Sequence, residues 1–172
     1  MPKIIVHPGF HKTGTTFVQD FLLENGPALW PVTALGLQFK MQPAIEAAKI
    51  YSLMPNPKTL EDFKQDFRSF TQSVDLGLKR SLIISAEGLS GNMPGRHGIE
   101  DFGATVSLQR AIYEVLIETF GKDREIVFYF STRAPSAWLR SAYWQTLRAT
   151  FLTDDYEIFQ TQFSQGLSLI HI

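Results

Sequence analysis

The apolar residues of the chain fall into two kinds of segment. Residues 4–6, 81–85 and 126–131 are short, largely apolar runs without alternation, the pattern of strands buried on both faces of a parallel sheet. The segments between them repeat every three or four residues. Phe17 with Phe21, and Val18 with Leu22, predict a helix over 14–23 with one apolar face, ended by Gly26-Pro27. Residues 44–53 predict a short helix that stops at Met54-Pro55-Asn56-Pro57. Leu60, Phe63, Phe67, Phe70 and Val74 form the clearest stripe, an amphipathic helix reaching about Leu78, with Thr59 and Asp62 in an N-cap arrangement. Leu108, Ile112, Val115, Leu116 and Phe120 predict another helix from about Thr105, with Gly121 as its C-terminal cap. Two stretches lack a period. Residues 27–43, with three prolines and Gly36, are expected to be a connection with at most a short strand near 37–39. Residues 89–103, rich in glycine, read as a loop long enough to form a lid or hold an acceptor.

Strand alternating with helix argues an α/β domain: a parallel sheet flanked by crossover helices, a three-layer sandwich. One domain over residues 1–166 accounts for the whole pattern, with no repeat, low-complexity tract or linker. Composition supports a folded globule, since 172 residues with 44% apolar and 13% aromatic content suffice for a real core. The formal charge of −1 supplies no global basic field, which argues against non-specific nucleic-acid binding. The charge distribution says more than the sum. Residues 1–19 and 126–153 contain no Asp or Glu but hold Lys3, Lys12, Arg133, Arg140 and Arg148, which suits a polyanionic ligand. Cysteine is absent and the four histidines are scattered, so neither a disulfide framework nor a metal site is expected. Met1-Pro2-Lys3 leads directly into the first strand without the apolar region of a signal peptide, and no apolar run reaches membrane-spanning length. The expectation is a soluble, cytoplasmic protein that inserts in no membrane.

The chemistry begins where the first strand empties into His7-Pro8-Gly9-Phe10-His11-Lys12-Thr13-Gly14-Thr15-Thr16. Glycines let the backbone turn back so that successive N–H groups converge, and the following helix adds its unpaired first-turn donors and positive dipole end. That is a phosphate cradle. Gly9 and Gly14 have the spacing of G-x-x-x-x-G-K-[ST], but Thr15 stands where that pattern has lysine, and the loop's only lysine, Lys12, lies inside it. An ordinary ATPase is therefore disfavoured, and a generic phosphate loop stays open. Downstream, the strand at 126–131 runs into Thr132-Arg133-Ala134-Pro135, with Pro135 suited to the first helical position. Arg133 is thus placed at the carboxyl end of a strand, with Ser141 two turns into the next helix. A guanidinium fork and a hydroxyl can share one phosphate.

The loop and the Arg133/Ser141 pair, in that order, resemble the 5′-phosphosulfate loop and the 3′-phosphate element of sulfotransferases that use 3′-phosphoadenosine 5′-phosphosulfate (PAPS). The resemblance covers about thirty residues. It implies that His11, Lys12, Thr13, Gly14, Thr15 and Thr16 grip the 5′-phosphosulfate, that Arg133 and Ser141 hold the 3′-phosphate, and that Lys12 stabilises the leaving oxygen. It also implies PAPS as donor, PAP (3′-phosphoadenosine 5′-phosphate) as product, a hydroxyl or amine acceptor and no metal. Glu87, after the strand at 81–85, is the first candidate for the base that takes the acceptor's proton. His11 is the second and His97 the third. Trp138, Leu139, Tyr143 and Trp144 are expected to pack, and Arg140 and Arg148 to be solvated or to face the acceptor. The other readings are a P-loop kinase or NTPase and a non-catalytic nucleotide-binding module of the same fold. Members of the family continue with further helices, at least one more strand and a closing segment, so the chain is expected to be a C-terminally incomplete enzyme. Residues 167–172, Leu-Ser-Leu-Ile-His-Ile, leave the polar pattern of 154–165 and are expected to be a non-native tail.

Overall fold

The computed structural model describes residues 2–77, 80–96 and 98–164. Among these, β1 (Lys3–His7), β2 (Thr33–Leu37), β3 (Ser81–Ser85) and β4 (Glu125–Phe128) form one all-parallel sheet in the spatial order β2-β3-β1-β4. Helices α1 (Thr15–Glu24) and α2 (Gly26–Leu29) connect β1 to β2, α3 (Gln42–Leu53) and α4 (Pro57–Gln72) connect β2 to β3, and α5 (Ala104–Phe120) connects β3 to β4. Helices α6 (Pro135–Ala149) and α7 (Tyr156–Ser164) follow. The first crossover runs along the sheet in one direction and the next two run in the other, so connections of a single hand must lie on opposite faces. Packing agrees with this. Helices α3, α4 and α5 pack on one another over Ile4, Val6, Leu82 and Ile84, whereas α1 meets β3 and α2 meets β2. The domain is an α/β three-layer sandwich, the class expected from the alternation of elements. Its chain reverses direction between β1 and β3, where diverging loops leave the crevice in which α/β sheets bind ligands.

The core decides which side of each element is inside. Ile4, Val6, Leu82 and Ile84 are fully buried, as are Phe63 and Phe67 of α4, each burial stabilising by about 2–3 kcal/mol. Ile5 and Ile83 are only half-buried, so β1 and β3 are sealed on one face and not on both. The apolar face read for the first helix is corrected in the same way. Leu22 is buried, but Phe17 and Phe21 are 76% and 56% exposed, because α1 turns a different edge to the sheet. A fourth strand replaces the expected connection. Residues 33–37 pair in register with 81–85, and Gly36 is what permits it, since a Cβ there would come within 2.6 Å of the Phe70 ring. A 3₁₀ turn, Gln38–Lys40, follows in place of a strand near 37–39. The motif Met54-Pro55-Asn56-Pro57 both ends α3 and starts α4: Asn56 Oδ1 accepts from the Lys58 and Thr59 amides, and Thr59 Oγ1 accepts from the Asn56 amide. Asn56, not Thr59 with Asp62, is the cap. Helix α4 ends at Gln72, leaving Val74 beyond it, and Leu78 lies outside the described residues. The strand expected over 126–131 is shorter and begins at Glu125.

A second apolar cluster builds the floor of the site. Phe10 from the first loop, Met93 and Phe102 from the loop after β3, Trp138, Leu139 and Ala142 from α6, and Phe159 and Phe163 from α7 pack together. Trp144, expected to pack, is 55% exposed. No helix among the described residues is long and apolar enough to cross a membrane. The expectation of a non-native tail at 167–172 falls outside the described residues.

Candidate functional site

The loop between β1 and α1 is held by its carbonyls. Ser90 Oγ donates to Gly9 O at 2.8 Å, Thr13 Oγ1 to Phe10 O at 2.6 Å, Trp138 Nε1 to His11 O at 2.6 Å and Arg133 Nη1 to Lys12 O at 3.3 Å. Four consecutive carbonyls are thus each taken by a side-chain donor, three of which come from other elements. The amides behave in the opposite way: from His11 to Thr16 none donates a hydrogen bond among the described residues. Gly14, at φ 95°, is the N-cap of α1 and supplies no side-chain cap, so the first-turn N–H groups remain open as well. Backbone conformation sets this polarity. Gly9 and Lys12 both adopt left-handed φ values, 60° and 69°, and a Cβ at Gly9 would collide with the Thr15 methyl. Left-handed Lys12 is a strained position for a residue with a Cβ, of the kind that accumulates at functional sites.

The walls come from neighbouring strand ends. Because β1 pairs β3 with His7 opposite Ser85, and the Ala86 amide bonds His7 O at 3.2 Å, the strand pair delivers Glu87 beside the loop. There its Oε2 accepts a hydrogen bond from the buried Thr15 hydroxyl. His7 is buried with Nδ1 2.9 Å from Ser85 Oγ and Nε2 3.5 Å from Ser131 Oγ; Ser131 in turn lies 2.9 Å from Thr13 Oγ1. This chain of small polar groups ties the loop to both β3 and the segment after β4. Burial lowers the His7 pKa, against the opposing pull of the Glu87 carboxylate.

His11 has its ring near Phe102, with centroids 6.4 Å apart, and its Nδ1 is buried without a partner among the described residues. Burial lowers its pKa to about 4, the Glu87 charge raising it and the Arg96, Lys49 and Lys12 charges lowering it further. The ring is therefore neutral at physiological pH, with a ring nitrogen able to accept a proton. Glu87 presents a carboxylate at the mouth of the loop, held by the Thr15 hydroxyl.

Of the residues singled out from sequence, His11, Lys12, Thr13, Gly14, Thr15 and Glu87 converge at the carboxyl ends of β1 and β3, with Thr16 exposed on the first turn of α1. Arg133 is exposed and reaches back over the loop to Lys12 O. Ser141 is half-buried on α6, and no hydrogen bond joins it to Arg133 or the loop. Arg140 and Arg148 are exposed, and His97 lies outside the described residues. Two participants carry no local sequence signal. Trp138 was legible as a packing residue, but its indole N–H also fixes the loop. Arg96 sits in an aperiodic stretch, yet its guanidinium lies within electrostatic reach of Glu87 and His11. Comparison with protein-family models, curated proteins and solved structures found no match to this chain.

Proposed function

We propose that the chain is a PAPS-dependent sulfotransferase that moves a sulfuryl group to a hydroxyl or amine acceptor in a cytoplasmic setting. The observation that carries this reading is the polarity of the β1–α1 loop. Four carbonyls are tied down by side-chain donors, while the amides of residues 11–16 and the uncapped start of α1 are left for an anion. Lys12 in mid-loop and the Arg133/Ser141 pair beyond β4 favour a donor with phosphates at both ends of its ribose over ATP.

In this mechanism the Thr13 to Thr16 backbone and the Thr16 hydroxyl hold the 5′-phosphosulfate, and Arg133 exchanges the Lys12 carbonyl for the 3′-phosphate, with Ser141 as the second donor. The acceptor oxygen attacks sulfur in line as its proton passes to Glu87. The bond between sulfur and the bridging oxygen breaks, the electron pair stays on the phosphate of PAP, and the Lys12 ammonium meets that charge. Thr15, donating to the Glu87 carboxylate, holds it in the acceptor-facing position.

The test is transfer of labelled sulfate from PAPS to a mixed pool of alcohols and amines. Wild type is expected to form labelled product, and Glu87→Gln to lose about 10²-fold or more in rate with PAP affinity unchanged, as for a missing general base. Equal rates in the two proteins would remove Glu87 as base, and PAP that fails to bind would remove the whole reading.

A further inference from the structure

The loop between β3 and α5 is anchored from both ends. Met93 and Phe102 are buried in the second apolar cluster, Thr105 Oγ1 donates to Ser90 O at 3.0 Å, and Gln109 Nε2 donates to Leu89 O at 3.1 Å. Between these anchors a tight turn, with Gly95 N bonded to Ile99 O and Ile99 N to Arg96 O, carries Arg96 against α6. Gly95 has φ 89°, and any Cβ there would press on the Phe159 ring at 3.0 Å. The turn therefore presents Arg96 from a fixed position.

The guanidinium it presents is under-used. Its one hydrogen bond among the described residues is a long contact of 3.5 Å from Nη2 to Gln145 O, and its Nε is buried without a partner. Two atoms of the facing α6 share that condition: Gln145 Oε1 and Thr146 Oγ1 are also buried and unpartnered among the described residues. Among the described residues nothing anionic compensates the arginine at contact distance, since no salt bridge reaches it. The acids of its own loop do not either: Asp101 turns to the Gly103 amide at 2.6 Å, and Glu100 is exposed. Among the described residues the charges acting on His11 are the cations Arg96, Lys49 and Lys12 against the carboxylate of Glu87, which accepts from Thr15.

A guanidinium within electrostatic reach of the candidate base, committed to one long hydrogen bond among the described residues, is a receptor for a planar or tetrahedral anion. We propose that Arg96 anchors an anionic group on the acceptor, so that the acceptor is a small hydroxyl or amine compound bearing a carboxylate, sulfate or phosphate; this rests on the sulfotransferase reading. The anion pairs with a guanidinium charge that no carboxylate meets at contact distance among the described residues, and the anchored molecule turns its hydroxyl or amine toward Glu87. A neutral acceptor of the same shape leaves a partly desolvated cation unpaired and is rejected.

Calorimetry on PAP-saturated protein tests this with two size-matched probes, 4-hydroxyphenylacetate and its neutral analogue 4-hydroxyphenethyl alcohol. Wild type is expected to bind the carboxylate at least tenfold more tightly than the alcohol. Arg96→Gln should abolish the difference while leaving PAP affinity unchanged, and Arg96→Lys, which keeps the charge but not the fork, should retain part of it. Should Arg96→Gln not fold, a threefold or greater loss of preference in Arg96→Lys carries the same meaning. Equal affinities in wild type, failure of both probes to bind, or a preference that survives both substitutions would overturn the proposal. Each of these results is read with PAP bound, so it counts against the acceptor class alone; failure to bind PAP would defeat the parent reading and this one together.

Discussion

A methyl group added at either glycine of the β1–α1 loop separates the loop's architecture from its binding function. Gly9 and Gly14 both have positive φ, 60° and 95°, so alanine at either is strained by about 1–2 kcal/mol. Part of that cost is offset, by about 0.4–1 kcal/mol, through the smaller entropy of the unfolded chain. Their surroundings differ. The new Cβ at Gly9 collides with the Thr15 side chain, whereas at Gly14 it meets no atom within 4 Å. Thr15 cannot retreat easily, because it is buried and its hydroxyl is engaged by Glu87. Overpacking of this kind adds about 1–3 kcal/mol. Gly9→Ala should therefore destabilise by about 2–4 kcal/mol, a fall of roughly 5–15 °C in Tm for a domain of this size, and Gly14→Ala by only about 1 kcal/mol. Binding should invert the order, because the Gly14 methyl enters the open space above the uncapped start of α1. Thermal unfolding with and without PAP reads both effects. Gly9→Ala should be the less stable variant but keep PAP protection in proportion to its folded fraction, and Gly14→Ala should fold well and lose most of the protection. A Gly9→Ala protein as stable as wild type would refute the packing argument, and full protection of Gly14→Ala would refute the placement of the anion.

Two further outcomes follow from the charges around the loop. The His11 ring should titrate near pH 4 by NMR, against 6.5 in the unfolded chain. Between those values the unfolded state binds the extra proton, so His11 contributes stability that is complete above about pH 6.5 and is lost progressively down to about pH 4. His7, whose pKa burial lowers in the same direction, adds to the loss as the pH falls below about 6.5. A His11 midpoint at 6.5 would show that the ring is solvated and not buried beside Phe102. Arg133→Ala should weaken PAP binding about tenfold or more, as for a charge-assisted hydrogen bond, and should leave Tm within 2 °C, because the side chain is exposed and its bond to Lys12 O is long at 3.3 Å. Unchanged PAP affinity would release Arg133 from the 3′-phosphate role.

The sequence made the element types legible because burial writes itself into period. The stripe on α4 and the apolar runs of β1 and β3 are consequences of a sheet covered by helices, and they identified the fold class. Period does not report orientation. Phe17 and Phe21 repeat as regularly as the core residues of α4, yet they face solvent, because which edge of α1 meets the sheet depends on the crossover and not on spacing. β2 was obscured by the feature that lets it pack: Gly36 reads as a break, but it makes room for the Phe70 ring. The loop residues were visible through glycine spacing and the Lys-Thr-Gly-Thr-Thr run, and Glu87 was visible from its place directly after the strand at 81–85. The side-chain donors that tie the carbonyls come from positions as distant as Ser90 and Trp138, and Arg96 comes from a loop with no pattern. Contacts between residues so far apart in sequence leave no local mark.

The central claim is that the open amides of the β1–α1 loop and the Arg133/Ser141 pair together receive a nucleotide carrying a 3′-phosphate. Calorimetric titration of the wild-type protein with PAP and, separately, with ATP and Mg²⁺ measures this directly. The account predicts PAP binding at low micromolar affinity or tighter, and at least tenfold tighter than ATP, equivalent to about 1.4 kcal/mol or more. Equal affinities, or a preference for ATP, would contradict it.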